Sequence, residues 1–260
     1  MAWDYFIYFA IATILFSVAG AVLSTVSRKK YARISVVCLT CVGILTLLAF
    51  IVLLWNTLQR PPFRTMGETR LWYSFFGLIA GLFTYLRWRY KWILPFSTVL
   101  ASVFIIINCV KPEIHDMSLM PALQSVWFIP HVTVYMFSYS LLGCAFLLSV
   151  AGLCSRKYDV LPVMDTLIYI GVAFLTFGML SGAIWAKSAW GHFWNWDPKE
   201  TWAALTWCIY LIYIHLRLLG KGSRKLLCVV VIVAFVCLQM CWWGVNYLPS
   251  AQDSVHVYSR

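Results

Sequence analysis

The chain has 260 residues, of which 62% are hydrophobic and only 11% charged, with a mean hydropathy of +0.82. Soluble domains carry about a quarter charged residues, so this composition excludes a soluble enzyme, a disordered chain and a secreted disulfide scaffold. A net charge of +11 would suggest nucleic acid in a soluble protein; in so apolar a chain it reads as the Lys/Arg excess of a cytoplasmic membrane face, and no nucleic-acid partner is expected.

Apolar runs of about 18 residues or more are long enough to cross a hydrocarbon core of roughly 30 Å. Eight are expected, over 3–26, 34–57, 71–86, 92–110, 131–154, 164–186, 201–219 and 226–248. The third is the shortest. The first reads as a span rather than a cleaved leader, because no basic residue precedes it and no small-residue cleavage site follows. The expected fold is therefore all-α: a polytopic transmembrane helical bundle of about eight spans, divided at 110/111 into two four-span halves.

The loops orient the bundle. Segments 28–33, 87–91, 155–163 and 217–225 hold 13 of the 20 Lys/Arg, so they face the cytoplasm and both termini face out. Seven of the nine acids fall on the outer side and cancel the bases there. The inner face thus carries nearly all of the positive charge and lies against anionic lipid. Chemistry outside the membrane falls to the outer segments 58–70, 111–130, 187–200 and 249–260.

One outer segment stands apart. Between Trp185 and Trp207 lie six of the 14 tryptophans. Asp197 is a good helix N-cap, Pro198 suits the first helical position, and Glu200 closes a capping box. Trp185, Trp202 and Trp207 are equally compatible with a belt at headgroup level. Trp190, Trp194 and Trp196, spaced around Gly191 and the Asp-Pro cap, predict a flat apolar shelf for a large planar ligand.

The run Trp190-Gly191-x-x-Trp194-x-Trp196-Asp197-Pro198-Lys199-Glu200-Thr201 resembles the tryptophan-rich WWD signature of haem-handling proteins in cytochrome c maturation. Its continuation is similar to the CcsA (ResC) branch, and the resemblance covers roughly 131–256. It implies a haem-handling domain over 111–260 with the WWD loop at 187–200. The implied substrate is haem b, resting against Trp190, Gly191, Trp194, Trp196 and Asp197. The implied axial ligands at an outer site are His131 and His256, one on each side of that loop. His215, about 21 Å down the seventh helix from Thr201, matches an inner-site ligand, and a buried ionisable group in a membrane is a functional candidate by default.

The resemblance further implies a CcsB/ResB-like membrane partner that supplies the second inner ligand, and apocytochrome c as the acceptor. The implied activity is a cytochrome c haem lyase, held by the complex, in a bacterial inner membrane rather than a thylakoid. No catalytic residue is expected apart from haem binding. Two other readings stand: a CcmC-like module delivering haem to a separate chaperone, and an unrelated transporter of small apolar solutes. His115 and His192 read as ordinary loop histidines. Nine cysteines fall in or at the ends of spans and pack as small apolar residues; Cys38-x-x-Cys41 has redox spacing but no second pair beside it.

Overall fold

A computed structural model describes residues 2–26, 32–88, 91–115, 125–155 and 159–249. They form an all-α protein of eight long helices: α1 (Phe6–Val26), α2 (Ala32–Leu58), α3 (Met66–Trp88), α4 (Ile93–Val110), α5 (Phe128–Cys154), α6 (Leu161–Trp190), α7 (Pro198–Leu218) and α8 (Arg224–Trp242). Short 3-10 turns at Ala2–Tyr5, Pro112–Ile114 and Gly244–Tyr247 flank them.

Six helices are long and apolar enough to cross a membrane: α1 with its leading turn, α2, α4, α5, α6 and α8. The other two are long but more polar. α3, of 23 residues, carries Glu68, Arg70 and Arg87, and α7, of 21 residues, carries Lys199, Glu200, His215 and Arg217. At about 1.5 Å per residue both still match a hydrocarbon core of roughly 30 Å in length.

The chain divides into two compact units, Met1–Leu119 and Met120–Arg260. In the first, α1 and α2 pack through small residues. A Cβ on Gly20 would lie 2.6 Å from Thr40 Oγ1, and one on Gly43 would strike the Ser17 hydroxyl. The turn before α3 is closed by Glu68, which is 1% exposed. Its carboxylate accepts two bonds from the Arg60 guanidinium (2.8 and 3.0 Å) and the backbone amides of Arg64 (2.6 Å) and Thr65 (3.2 Å). Burial, and then the neighbouring Arg60 charge, lower the Arg64 pKa, with Glu68 pulling it partly back up. His115, expected as an ordinary loop residue, stacks on Trp3 with ring centroids 3.6 Å apart and planes at 6°.

In the second unit α5 lies along both α6 and α8, while α7 packs on α8 and α6. Three local signals set its helix ends. α6 runs to Trp190 and stops at Gly191, whose φ of +86° is the left-handed conformation that glycine adopts without a Cβ clash. α7 begins as expected: the Asp197 side chain accepts from Lys199 N at 2.9 Å, with the Glu200 carboxylate returning to Asp197 N. Ser223 caps α8 by accepting from Leu226 N at 3.2 Å. At the far end of α7, Arg217 forms a two-pronged pair with Asp165 of α6 (2.8 and 2.5 Å), and the Tyr213 hydroxyl donates to the same carboxylate at 2.8 Å.

Candidate functional site

The connection between α6 and α7 is shorter than the expected loop over 187–200. Lys187 and Trp190 are helical, and only residues 191–197 leave helical structure. The Lys187 ammonium turns back to donate to the Gly191 carbonyl at 2.7 Å and sits 5.5 Å from the Phe193 ring centre. That bond ties the last turn of α6 to the start of the connection.

His131 lies one turn inside α5, which starts at Phe128 rather than at the histidine. Its Nδ1 is 2.8 Å from the Gly178 carbonyl of α6. A carbonyl oxygen only accepts, so Nδ1 carries the proton and the neutral ring keeps its lone pair on Nε2. The ring lies against Trp185 (centroids 5.4 Å, 25°) and meets Tyr135 edge-on at 4.6 Å. Backbone proximity makes this possible: a Cβ on Gly182 would fall 2.6 Å from the His131 ring. Gly178 and Gly182 are a Gly-x-x-x-Gly pair that brings helices close: the missing Cβ of Gly182 makes room for the imidazole and that of Gly178 for the neighbouring Tyr135 ring.

Trp185 is 2% exposed. It bridges His131 to Trp190, which it meets at 4.8 Å and 65°. Trp194 and Trp196 form a second pair, 5.9 Å apart and nearly perpendicular at 87°. The indoles are therefore edge-to-face pairs rather than one flat shelf. Trp194 is half-buried and Trp196 is 70% exposed. Asp197 is buried at 6% exposure by its capping role.

Beside the connection, the first turn of α7 meets α8, which in turn meets α5. The Cys241 thiol donates to the Lys199 carbonyl (3.3 Å) and the Tyr139 hydroxyl donates to Cys241 Sγ (3.8 Å). Burial lowers the Lys199 ammonium from its usual value, with Cys241 and Asp197 pulling it back up. His215 sits near the other end of α7, exposed, with Nδ1 2.7 Å from the Leu211 carbonyl. By the same argument its lone pair is on Nε2. His256 lies outside the described residues. His192 is exposed in the connection.

The donor chemistry suits haem iron. A backbone carbonyl on one imidazole nitrogen fixes the tautomer and orients the other for a metal. Among the described residues no three His, Cys, Asp or Glu side chains gather as a cage for a bare metal ion. Sequence reasoning singled out His131, Trp190, Trp194, Trp196 and His215. It missed Trp185 as a support for His131, and the Gly178/Gly182 groove, whose four-residue glycine spacing was the available signal.

A multi-span helical membrane protein with a tryptophan-rich connection beside a backbone-anchored histidine is the class these features define. The family described as cytochrome C assembly protein matches residues 63–251, and the chain belongs to that family. The match reaches upstream of 131, taking in α3 and the Glu68 turn.

Among its relatives are the cytochrome c biogenesis proteins CcsA of Dioscorea elephantipes and Marchantia polymorpha. The first is 32% identical over 241 residues, covering 72% of this chain and 75% of the relative. The second is 28% identical over 261 residues, covering 79% and 82%. CcsA of Chlamydomonas reinhardtii is 38% identical over 174 residues, and there the match spans about half of the relative, 48%, and 62% of this chain. A solved structure of the cytochrome c heme lyase CcmF superposes with a TM-score of 0.66 at 16% identity, covering 91% of this chain and 46% of that one. The two share a fold.

Proposed function

We propose that this chain is the haem-handling subunit of a cytochrome c synthetase, presenting haem at the outer membrane face for thioether attachment to the Cys-x-x-Cys-His of apocytochrome c. The bundle has eight spans in this reading, α3 and α7 included, with both termini outside and the 13 loop bases inside. Haem b is the substrate. It rests against Trp190, Gly191, Trp194, Trp196 and Asp197, with iron held by His131 and His256. His215, exposed toward the inner end of α7, supplies one ligand at an inner site, and a CcsB/ResB-like partner supplies the other. The membrane is the bacterial plasma membrane.

The observation that carries this reading is the seating of His131: its Nδ1–H is anchored on the Gly178 carbonyl, its face lies on buried Trp185, and Trp185 leads directly to Trp190. An imidazole serving only as an interfacial polar group has no need of a glycine groove and a fixed tautomer. The chain's own work is holding and orienting. His131 grips the substrate iron through Nε2, the indoles exclude water from the porphyrin face, and the capped start of α7 keeps them in register. The bond-forming step belongs to the thiols and the vinyl groups: each thiol sulfur bonds to a vinyl carbon and the proton ends on the neighbouring carbon.

The test is an absorption spectrum of the detergent-purified complex. A Soret band is expected, and His131→Ala and His256→Ala should each abolish most holocytochrome c yield. A complex without the band refutes haem handling. Wild-type yield from both variants refutes the outer ligands alone.

A further inference from the structure

Trp196 has a φ of +54°, the left-handed region that bulky side chains avoid. Local preference would place that conformation at Asn195 next door, since asparagine tolerates it. The chain instead spends it on the indole that is 70% exposed. Such a conformation persists where neighbouring groups over-determine it, and it collects at functional sites.

The neighbouring groups that do so here are Glu200 and Thr201. Of the Glu200 carboxylate a capping box requires only the bond from Asp197 N, which is present at 3.2 Å. The same oxygen, Glu200 Oε2, also accepts from Asn195 N, and this extra bond is the shorter at 2.8 Å. The two amides on either side of Trp196 therefore converge on one carboxylate oxygen, the arrangement of a backbone anion nest. From the other side, Thr201 Oγ1 donates to the Trp196 carbonyl at 3.2 Å. With the amides of 195 and 197 turned to one point, the residue between them has its side chain thrown outward, edge-on to Trp194 at 5.9 Å.

We propose that Glu200 is a positioning residue for the ligand-contacting tryptophan: its carboxylate, seated between the amides of Asn195 and Asp197, holds Trp196 in the left-handed conformation and so presents the indole to the planar substrate. This rests on the haem-handling reading above for what the indole meets; the backbone hold stands on geometry alone. A cap that only stabilised α7 would leave Asn195 N to water and residue 196 in an ordinary conformation.

The experiment has two arms on the full chain in detergent. In the first, haem-free protein is melted. Trp196→Gly should melt above Trp196→Ala, because glycine accepts a positive φ and alanine does not. Adding Glu200→Ala should reverse that order, since residue 196 is then released and alanine's lower unfolded-state entropy decides. The same order in both backgrounds overturns the proposal.

In the second arm, haem retention is followed by the Soret band. Glu200→Ala should weaken retention about tenfold, the scale of losing a supporting hydrogen bond behind a site group. Glu200→Gln, which keeps an accepting oxygen, should recover most of it. In the Trp196→Gly background Glu200→Ala should weaken retention no further. Equal weakening with and without the indole overturns presentation and leaves Glu200 as a cap. Wild-type protein that binds no haem overturns the haem-handling reading, and with it presentation, while the melting order still decides the hold.

Discussion

The site turns on how one imidazole is seated. His131 fits against α6 because residue 182 lacks a Cβ and leaves room for the ring, while the Gly178 carbonyl accepts from its Nδ1. Gly182→Ala puts a methyl 2.6 Å from the ring, closer than packed atoms approach. The ring must move or the helices must part, costing about 1–3 kcal/mol. The expected outcome is a lower denaturation midpoint and loss of the outer-site Soret band, while Gly77→Ala, where a Cβ meets nothing within 4 Å, keeps the band and raises the midpoint through the helical preference for alanine over glycine. A Gly182→Ala protein with wild-type stability and spectrum would show that the groove is not what places His131. That His131 lies near the tryptophan-rich motif is legible in sequence, and its ring meets Trp185, which meets Trp190. That support was not legible, because Trp185 lies 54 positions later and local reasoning assigns a lone tryptophan near a span end to the headgroup belt.

Among the elements, those with local end signals were legible. The start of α7 follows from Asp197, Pro198 and Glu200, and the structure forms that cap. The end of α6 differs from expectation because polarity starts the outer loop at Lys187, whereas the helix runs on to Trp190 and ends at Gly191. At 30 residues α6 rises about 45 Å, more than a hydrocarbon core of roughly 30 Å. Trp185 and Trp190 ride on its last two turns as part of one rigid rod. In the more polar α7, Arg217, one of the charges that lower its hydropathy, is paired with Asp165 on α6. Asp165→Asn leaves that guanidinium facing an amide. The loss should be about 1–2 kcal/mol, modest because both side chains keep some solvent access. The check is denaturant unfolding, with Asp165→Asn/Arg217→Met recovering most of the stability. If the single variant unfolds with wild-type, the pair does not hold α6 to α7.

On the scale of the whole molecule, the function depends on which side of the membrane the indoles face, and only charge bears on that. The 13 loop bases on one side against seven on the other predict that residues 191–197 are outside and the turn between α7 and α8 is inside. Hydropathy could not count the spans alone, since α3 and α7 fall below the usual threshold. If either failed to cross, every later loop would change sides. Single cysteines separate these cases. In a background whose native cysteines are replaced and which still retains haem, His192→Cys in the connection and Lys221→Cys in the α7–α8 turn sit at exposed positions. A membrane-impermeant maleimide added to intact cells should label the first and spare the second until the cells are opened. The reverse pattern would place the tryptophans on the cytosolic side, where no exported apocytochrome could reach haem held against them.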